Sequence, residues 1–229
     1  MGIRERYIKF RKEIPENVAI VLAAKTRTEQ EISEAIAAGA TDIGENYVQE
    51  TQAVLEELGA GVKKVRWHLI GPLQKNKINQ ALPIFDVIQT VGDYKIAEHI
   101  DKRAEKSGKK IIPIYIEINI AEEKSKYGMV PEYKTIFKLI KKISSNLSHI
   151  RIEGLMTMGP EVEDKQSLRP YFRKAKKIFE SLKTAKLPNV EMKVLSMGMS
   201  DSYQIAIEEG SNMIRIGTAI FGKREKYIF

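Results

Sequence analysis

The chain has no cysteine among its 229 residues. Disulfides, thiolate catalysis and cysteine-ligated zinc are therefore excluded, and a cytoplasmic setting is the expectation. No apolar run approaches the ~20 residues that cross a bilayer. The opening residues, Met1-Gly2-Ile3-Arg4-Glu5-Arg6-Tyr7, lack the apolar stretch of a secretory leader. Arg6 stands where a myristoylation signal has Ser or Thr. Histidine is scarce. His68 has no second histidine or carboxylate at ligand spacing, and His99 and His149 fall on helix or loop surfaces, so no metal site is expected. No Gly-x-Gly-x-x-Gly or Walker-type loop follows a strand, and no Ser-His-Asp arrangement stands out. Linkers and low-complexity segments are missing too, which predicts one domain over residues 1–229.

Charge is abundant. Lys and Arg number 38 against 30 Asp and Glu, a formal net charge of +8. Such a balance raises nucleic-acid binding. The cations, however, are spread along the chain and mixed with Glu. The densest cluster, Arg173-Lys174-Ala175-Lys176-Lys177, lies on a predicted helix with Glu180 nearby. A solvated helix face accounts for it, and no nucleic-acid partner is expected.

Short β-branched apolar runs alternate with amphipathic charged stretches, the pattern of βα units and a parallel sheet. Strands are predicted at residues 18–24, 42–44, 65–70, 85–89, 111–118, 150–156, 191–195 and 212–216. The runs are continuous rather than alternating, as in strands buried on both faces. Helices are predicted between them: to about residue 38 after an N-cap at Thr28, then 47–58, 74–81, 94–106, 132–144, 166–183 and 202–209, with an extra helix over 3–12. Eight such units predict a single (β/α)8 TIM barrel, compact against the usual ~250 residues. An open doubly wound sheet is the alternative, and the missing glycine fingerprint counts against it.

In a barrel, functional groups gather at the C-terminal ends of the strands. Lys25 ends the first. Partial desolvation there favours the neutral amine and prepares it for Schiff-base formation, although a lysine that snorkels out of a strand end is the simpler reading of this residue alone. Ser196 to Ser200 follow the seventh strand, and Arg215-Ile216-Gly217-Thr218 the eighth. Hydroxyls, close-approaching glycines and exposed N–H groups suit a phosphate, and these two loops are the usual phosphate site of the fold. Ordinary turn chemistry explains the same residues. His68 reads as a hydrogen-bonded histidine near the barrel mouth, Trp67 as a packing aromatic, and Glu45 as a carboxylate that supports its loop.

Several segments together resemble the pyridoxal phosphate homeostasis protein family. They are Ala24-Lys25-Thr26, Gly44-Glu45-Asn46-Tyr47-Val48-Gln49-Glu50, Trp67-His68-Leu69-Ile70-Gly71-Pro72-Leu73-Gln74-Lys75-Asn76-Lys77, Gly154-Leu155-Met156-Thr157-Met158, Leu195-Ser196-Met197-Gly198-Met199-Ser200-Asp201, and Arg215-Ile216-Gly217-Thr218-Ala219-Ile220-Phe221-Gly222. They occur in the family's order and span nearly the whole chain. The resemblance implies a barrel like the N-terminal domain of alanine racemase (PLP fold type III), with pyridoxal 5′-phosphate (PLP) as cofactor in a Schiff base with Lys25. It implies phosphate binding by Ser200, Gly217 and Thr218, an approach of Arg215 to the pyridine nitrogen, and a cofactor lining that includes Asn46 and Met156. The segment before the first strand is shorter than usual, and Ser202 stands where a second acid is common.

A PLP-dependent racemase of this fold is the alternative function. It needs a second base, which alanine racemase takes from a tyrosine of a further β-rich domain. The chain ends at Phe229, soon after the barrel, so that domain and its dimer interface are expected to be absent. A cation such as Arg215 beside the pyridine nitrogen disfavours its protonation and makes the ring a poorer electron sink. The expectation is a monomeric, non-catalytic PLP carrier in PLP (vitamin B6) homeostasis, with PLP-dependent apo-enzymes as partners and no membrane association.

Overall fold

The computed structural model describes residues 1–108 and 111–223. Eight parallel strands close into a barrel in chain order. They are β1 (Ala19–Ala23), β2 (Asp42–Glu45), β3 (Arg66–Leu69), β4 (Val87–Val91), β5 (Ile112–Ile118), β6 (Ile150–Thr157), β7 (Val190–Ser196) and β8 (Met213–Ile216). The seam closes by pairing Ala19 with Met213 and Val21 with Arg215. Helix α1 (Ile3–Glu13) precedes the first strand. α2 (Glu29–Ala37), α3 (Val48–Leu58), α4 (Ile78–Ala81), α5 (Tyr94–Lys106), α6 (Tyr133–Asn146), α7 (Arg169–Lys183), α8 (Tyr203–Glu208) and the four-residue α9 (Thr218–Phe221) each follow one strand.

The continuous apolar runs reflect two buried surfaces. Residues pointing outward, such as Leu22, Ile43, Trp67, Ile88 and Ile116, pack against the helices in the main core. Alternate residues point inward, where Val21, Val87, Tyr115, Met156 and Met213 form a separate cluster. Helix α7 shows why helix can be read from the sequence: Phe172, Ala175, Ile178, Phe179 and Leu182 form one buried stripe. Its cationic face is laced with ion pairs, Arg173 to Glu209 at 2.9 Å, Lys174 to Glu122 at 3.2 Å and Lys176 to Glu180 at 2.8 Å. Helix α2 starts as expected, with the Thr28 side chain accepting from the Glu31 N–H and Glu31 reaching back to the Thr28 N–H.

Three predicted elements are corrected. The helix expected at 74–81 is a 3₁₀ turn, Lys75–Lys77, that leads into only four α-helical residues. Helix α7 likewise begins with a 3₁₀ turn, Lys165–Leu168. The fourth strand lies two residues later than expected. Asp86 is held outside it, because its carboxylate accepts the Trp67 N–H at 2.8 Å while its own N–H donates to the Trp67 carbonyl.

Gly154 sits where the β6–β7 register shifts between Ile152 and Gly154. A Cβ there would lie 2.1 Å from the Val194 carbonyl oxygen, a backbone atom that cannot swing away. Gly154→Ala is expected to cost roughly 1–3 kcal/mol, the range for overpacking. Chemical denaturation of the variant checks this, and an unchanged midpoint contradicts it.

Candidate functional site

A cavity of about 410 Å³ opens at the C-terminal end of the barrel, within the usual range for small-ligand sites. It brings together Lys25, Asn46, Ser200, Arg215, Gly217 and Thr218. Lys25 lies two residues beyond β1, in a turn closed by the Arg27 N–H on the Ala24 carbonyl at 2.8 Å. The turn forces Thr26 into the left-handed region at φ 63°. A β-branched residue there costs about 1–3 kcal/mol, the kind of strain that functional sites hold. Lys25 is half-buried. Its Nζ donates to the Tyr47 hydroxyl at 3.3 Å and sits 5.0 Å from the centre of that ring.

In the same cavity, the Ser200 hydroxyl accepts the N–H groups of Gly217 at 3.2 Å and Ala219 at 3.3 Å. With Oγ accepting, the hydroxyl hydrogen is left to donate. Thr218 adds a second hydroxyl. The chain reaches this geometry because Gly198 takes φ 95° with no room for a Cβ against Ala206. Arg215 sits on the inner side of β8. Its guanidinium donates to the Ser196 carbonyl at 3.0 Å, to Ser196 Oγ at 2.7 Å and to the Thr157 carbonyl at 2.8 Å. Burial pushes its pKa down to about 10, and the Glu117 charge opposes this. The group is still a cation at neutral pH. Glu117 is pushed up to about 7 by burial, with Arg215 pulling the other way.

Met156 sits one layer deeper than expected. It is packed with Val21, Tyr115 and Met213 inside the barrel, and Met158 lines the cavity in its place. Strand alternation puts residues two apart on one face, so Met158 repeats the orientation of Met156 one layer higher. His68 is also deeper than the mouth, fully buried inside the barrel and hydrogen-bonded. Tyr47, Ile70 and Asp201 were not singled out by sequence reasoning. Tyr47 follows Asn46 directly, and adjacency to a strand-end site residue was the available signal. Asp201 is held below the usual carboxylate range, chiefly by its hydrogen bond to Lys165 at 2.7 Å. Trp67 is a core aromatic, as expected.

Gly71 sets the position of Asn46. A Cβ on Gly71 would meet the Asn46 carbonyl oxygen at 2.4 Å and its Cα at 2.7 Å. Gly71→Ala is expected to push Asn46 out of the cavity wall and to lose roughly 1–3 kcal/mol of stability. Thermal denaturation, with titration of a cavity ligand, measures both effects.

A second cavity of about 480 Å³ lies at the opposite end of the barrel, between α1 and β1. Its Arg11 guanidinium is taken up by the carbonyls of Val18, Ile14 and Pro15. Among the described residues, no group of three or more His, Asp or Glu could hold a metal ion, and no helix is long and apolar enough to cross a membrane.

The barrel and its strand-end lysine define a class, and the sequence model described as "Alanine racemase, N-terminal domain" matches residues 3–225. The chain is 39% identical over 212 residues to a protein of Pasteurella multocida named "Pyridoxal phosphate homeostasis protein", covering 92% of this chain and 89% of that one. It belongs to the pyridoxal phosphate homeostasis protein family. Among solved structures it is similar to PipY of Synechococcus elongatus, at 31% identity over 96% of this chain and all of that one. The TM-score is 0.89 for the form without PLP and 0.86 for the form with PLP bound. An alanine racemase of Clostridium difficile shares the fold, with a TM-score of 0.78 at 15% identity, and this chain covers 57% of its length.

Proposed function

We propose that this protein binds pyridoxal 5′-phosphate as a Schiff base on Lys25 and acts in PLP homeostasis as a carrier rather than as a catalyst. One observation carries the reading: a half-buried amine and two hydroxyls, those of Ser200 and Thr218, line a single cavity, with a buried cation in its wall. The PLP-bound form of PipY supports it. The residues fit the group. An aldehyde needs an amine, a phosphate needs donors, and a pyridine nitrogen can accept from a guanidinium. When bound, PLP supplies an aldehyde that condenses reversibly with primary amines.

Lys25 anchors the cofactor, and Ser200, Gly217 and Thr218 hold its phosphate. Asn46 and Met158 line its walls, with Met156 packed beneath. Arg215, a cation at neutral pH, faces the pyridine nitrogen and disfavours its protonation. That environment suits storage and exchange better than carbanion chemistry, and relatives are named for homeostasis rather than for a reaction. The carrier works in the cytoplasm as a monomer, with residues 1–229 as one domain that delivers PLP to apo-enzymes. Nucleic acid is not expected as a partner, since three of the four cations of the densest cluster, Arg173, Lys174 and Lys176, are held in ion pairs.

The test is a visible spectrum of wild type incubated with PLP, followed by borohydride reduction and peptide mapping. A yellow band and a reduced label on Lys25 are expected. No band, or label scattered over surface lysines, overturns the cofactor assignment. Robust Lys25-dependent racemisation of amino acids overturns the carrier role.

A further inference from the structure

Beneath Arg215 a line of polar side chains crosses the barrel interior. The guanidinium donates to Ser196 Oγ at 2.7 Å, and Ser196 Oγ donates to Gln89 Oε1 at 2.8 Å. Gln89 Nε2 lies 2.9 Å from His68 Nδ1, and His68 Nε2 lies 2.8 Å from Asp42 Oδ1. Ser196, Gln89 and His68 are all fully buried. At the far end, Asp42 also accepts from Arg66 at 2.9 Å and from Thr41 at 2.7 Å.

The direction of every hydrogen bond follows from its two ends. Arginine can only donate, so Ser196 Oγ accepts and passes its own hydrogen to Gln89 Oε1. The Gln89 amide nitrogen then faces His68 Nδ1, which must be unprotonated to accept. The imidazole proton therefore sits on Nε2, aimed at the Asp42 carboxylate. The amide orientation has a second support, since Gln89 Nε2 also donates to Met213 Sδ at 3.5 Å. A proton on His68 Nδ1 would require the Gln89 amide to turn over. Ser196 would then receive two donors, and its own hydrogen would lose its acceptor in a fully buried site.

We propose that Ser196, Gln89 and His68 are positioning residues for Arg215: a one-way chain of donors, polarised from the guanidinium to the Asp42 carboxylate and conditional on the Nε2–H form of His68. The chain holds the guanidinium at the floor of the cofactor cavity. The cofactor reading enters only through what Arg215 faces.

The first measurement uses the ligand-free wild-type protein at pH 7.5. Nitrogen-15 NMR of the histidine side chains is expected to show His68 neutral, with Nδ1 unprotonated and Nε2 protonated. A proton on Nδ1, alone or together with Nε2, overturns the proposal whatever the protein binds. The second measurement uses PLP-loaded protein. Ser196→Ala is expected to shift the visible maximum and weaken PLP retention by roughly tenfold, in line with a lost hydrogen bond to a charged group. Ser196→Thr restores the hydroxyl and is expected to restore both readouts. Should Ser196→Ala not fold, Gln89→Met interrupts the chain at its next member and carries the same expectation. Wild-type spectrum and retention in a folded interrupted variant overturn the positioning role. If wild type itself gives no band on Lys25, the cofactor reading has failed and the His68 tautomer alone decides the chain.

Discussion

Lys25→Ala is expected to lose the visible PLP band completely and to weaken PLP retention by at least about a hundredfold, equivalent to ~3 kcal/mol. The loss is not expected to be total. Ser200, Gly217 and Thr218 also line the cavity, and their groups do not depend on the lysine. A residual, colourless, phosphate-dependent association should remain. Equilibrium dialysis against PLP and inorganic phosphate measures it, and competition by phosphate identifies the anchor. Ser200→Ala makes the complementary case. Its hydroxyl already occupies the N–H groups of Gly217 and Ala219, so its removal frees two backbone donors for the ligand. The net loss is therefore expected to be small, about three- to tenfold, because one donor is exchanged for others. Wild-type retention in Lys25→Ala would mean that the amine makes no bond to the ligand.

The barrel was legible because its strands are buried on both faces and its helices carry one apolar stripe. Those are properties of local sequence, and they located all eight strands to within about two residues. Helix α4 was misread for a local reason. Lys75-Asn76-Lys77 has helical composition, but its 3₁₀ turn is determined by how the chain leaves β3 and returns to β4. The candidate site was legible where chemistry and strand ends coincide, at Lys25, Ser200, Arg215, Gly217 and Thr218, all of which line the same cavity. Depth along the barrel axis was not legible. Met156 and Met158 have the same residue type and the same inward phase, and only strand stagger separates packing layer from cavity wall. The line from Arg215 to Asp42 was hidden for a related reason. Its members come from five strands, and each alone reads as an isolated polar residue inside an apolar run.

The sequence predicts a Glu45 carboxylate that supports its loop, and the structure supports half of that: it accepts from the Asn46 backbone, yet its Oε2 is buried without a hydrogen-bond partner. Burial pushes its pKa up to about 8, with the Glu50 charge adding to the shift. The folded protein therefore keeps a proton that the unfolded chain has released. Between the ordinary carboxylate range and pH 8 the native state binds more protons, so stability is greatest below that window and falls as pH rises through it. Taken alone, a rise from 4.5 to about 8 corresponds to a loss of about 5 kcal/mol in all, of which roughly 3–4 kcal/mol falls between pH 5.5 and 9. Glu117, pushed up to about 7, adds a fall of the same sign that ends earlier. Glu45→Gln removes the ionisation but keeps the shape. Its amide oxygen can take the Asn46 N–H, and its nitrogen takes the unpartnered place, much as the protonated acid does. The two proteins are expected to melt within a few degrees of each other near pH 5.5, where Glu45 is uncharged. At pH 9 the variant is expected to melt higher by roughly 5–15 °C, using about 2–4 °C per kcal/mol for a chain of this size. A shallower slope should persist in the variant, since Glu117 still titrates. Glu50→Gln should move the wild-type fall to higher stability at alkaline pH by a smaller amount, because it removes the lesser cause and leaves burial. The measurement is a set of thermal melts from pH 5 to 9 on ligand-free protein. Parallel curves for wild type and Glu45→Gln would mean that the Glu45 carboxylate is ionised and solvated in solution.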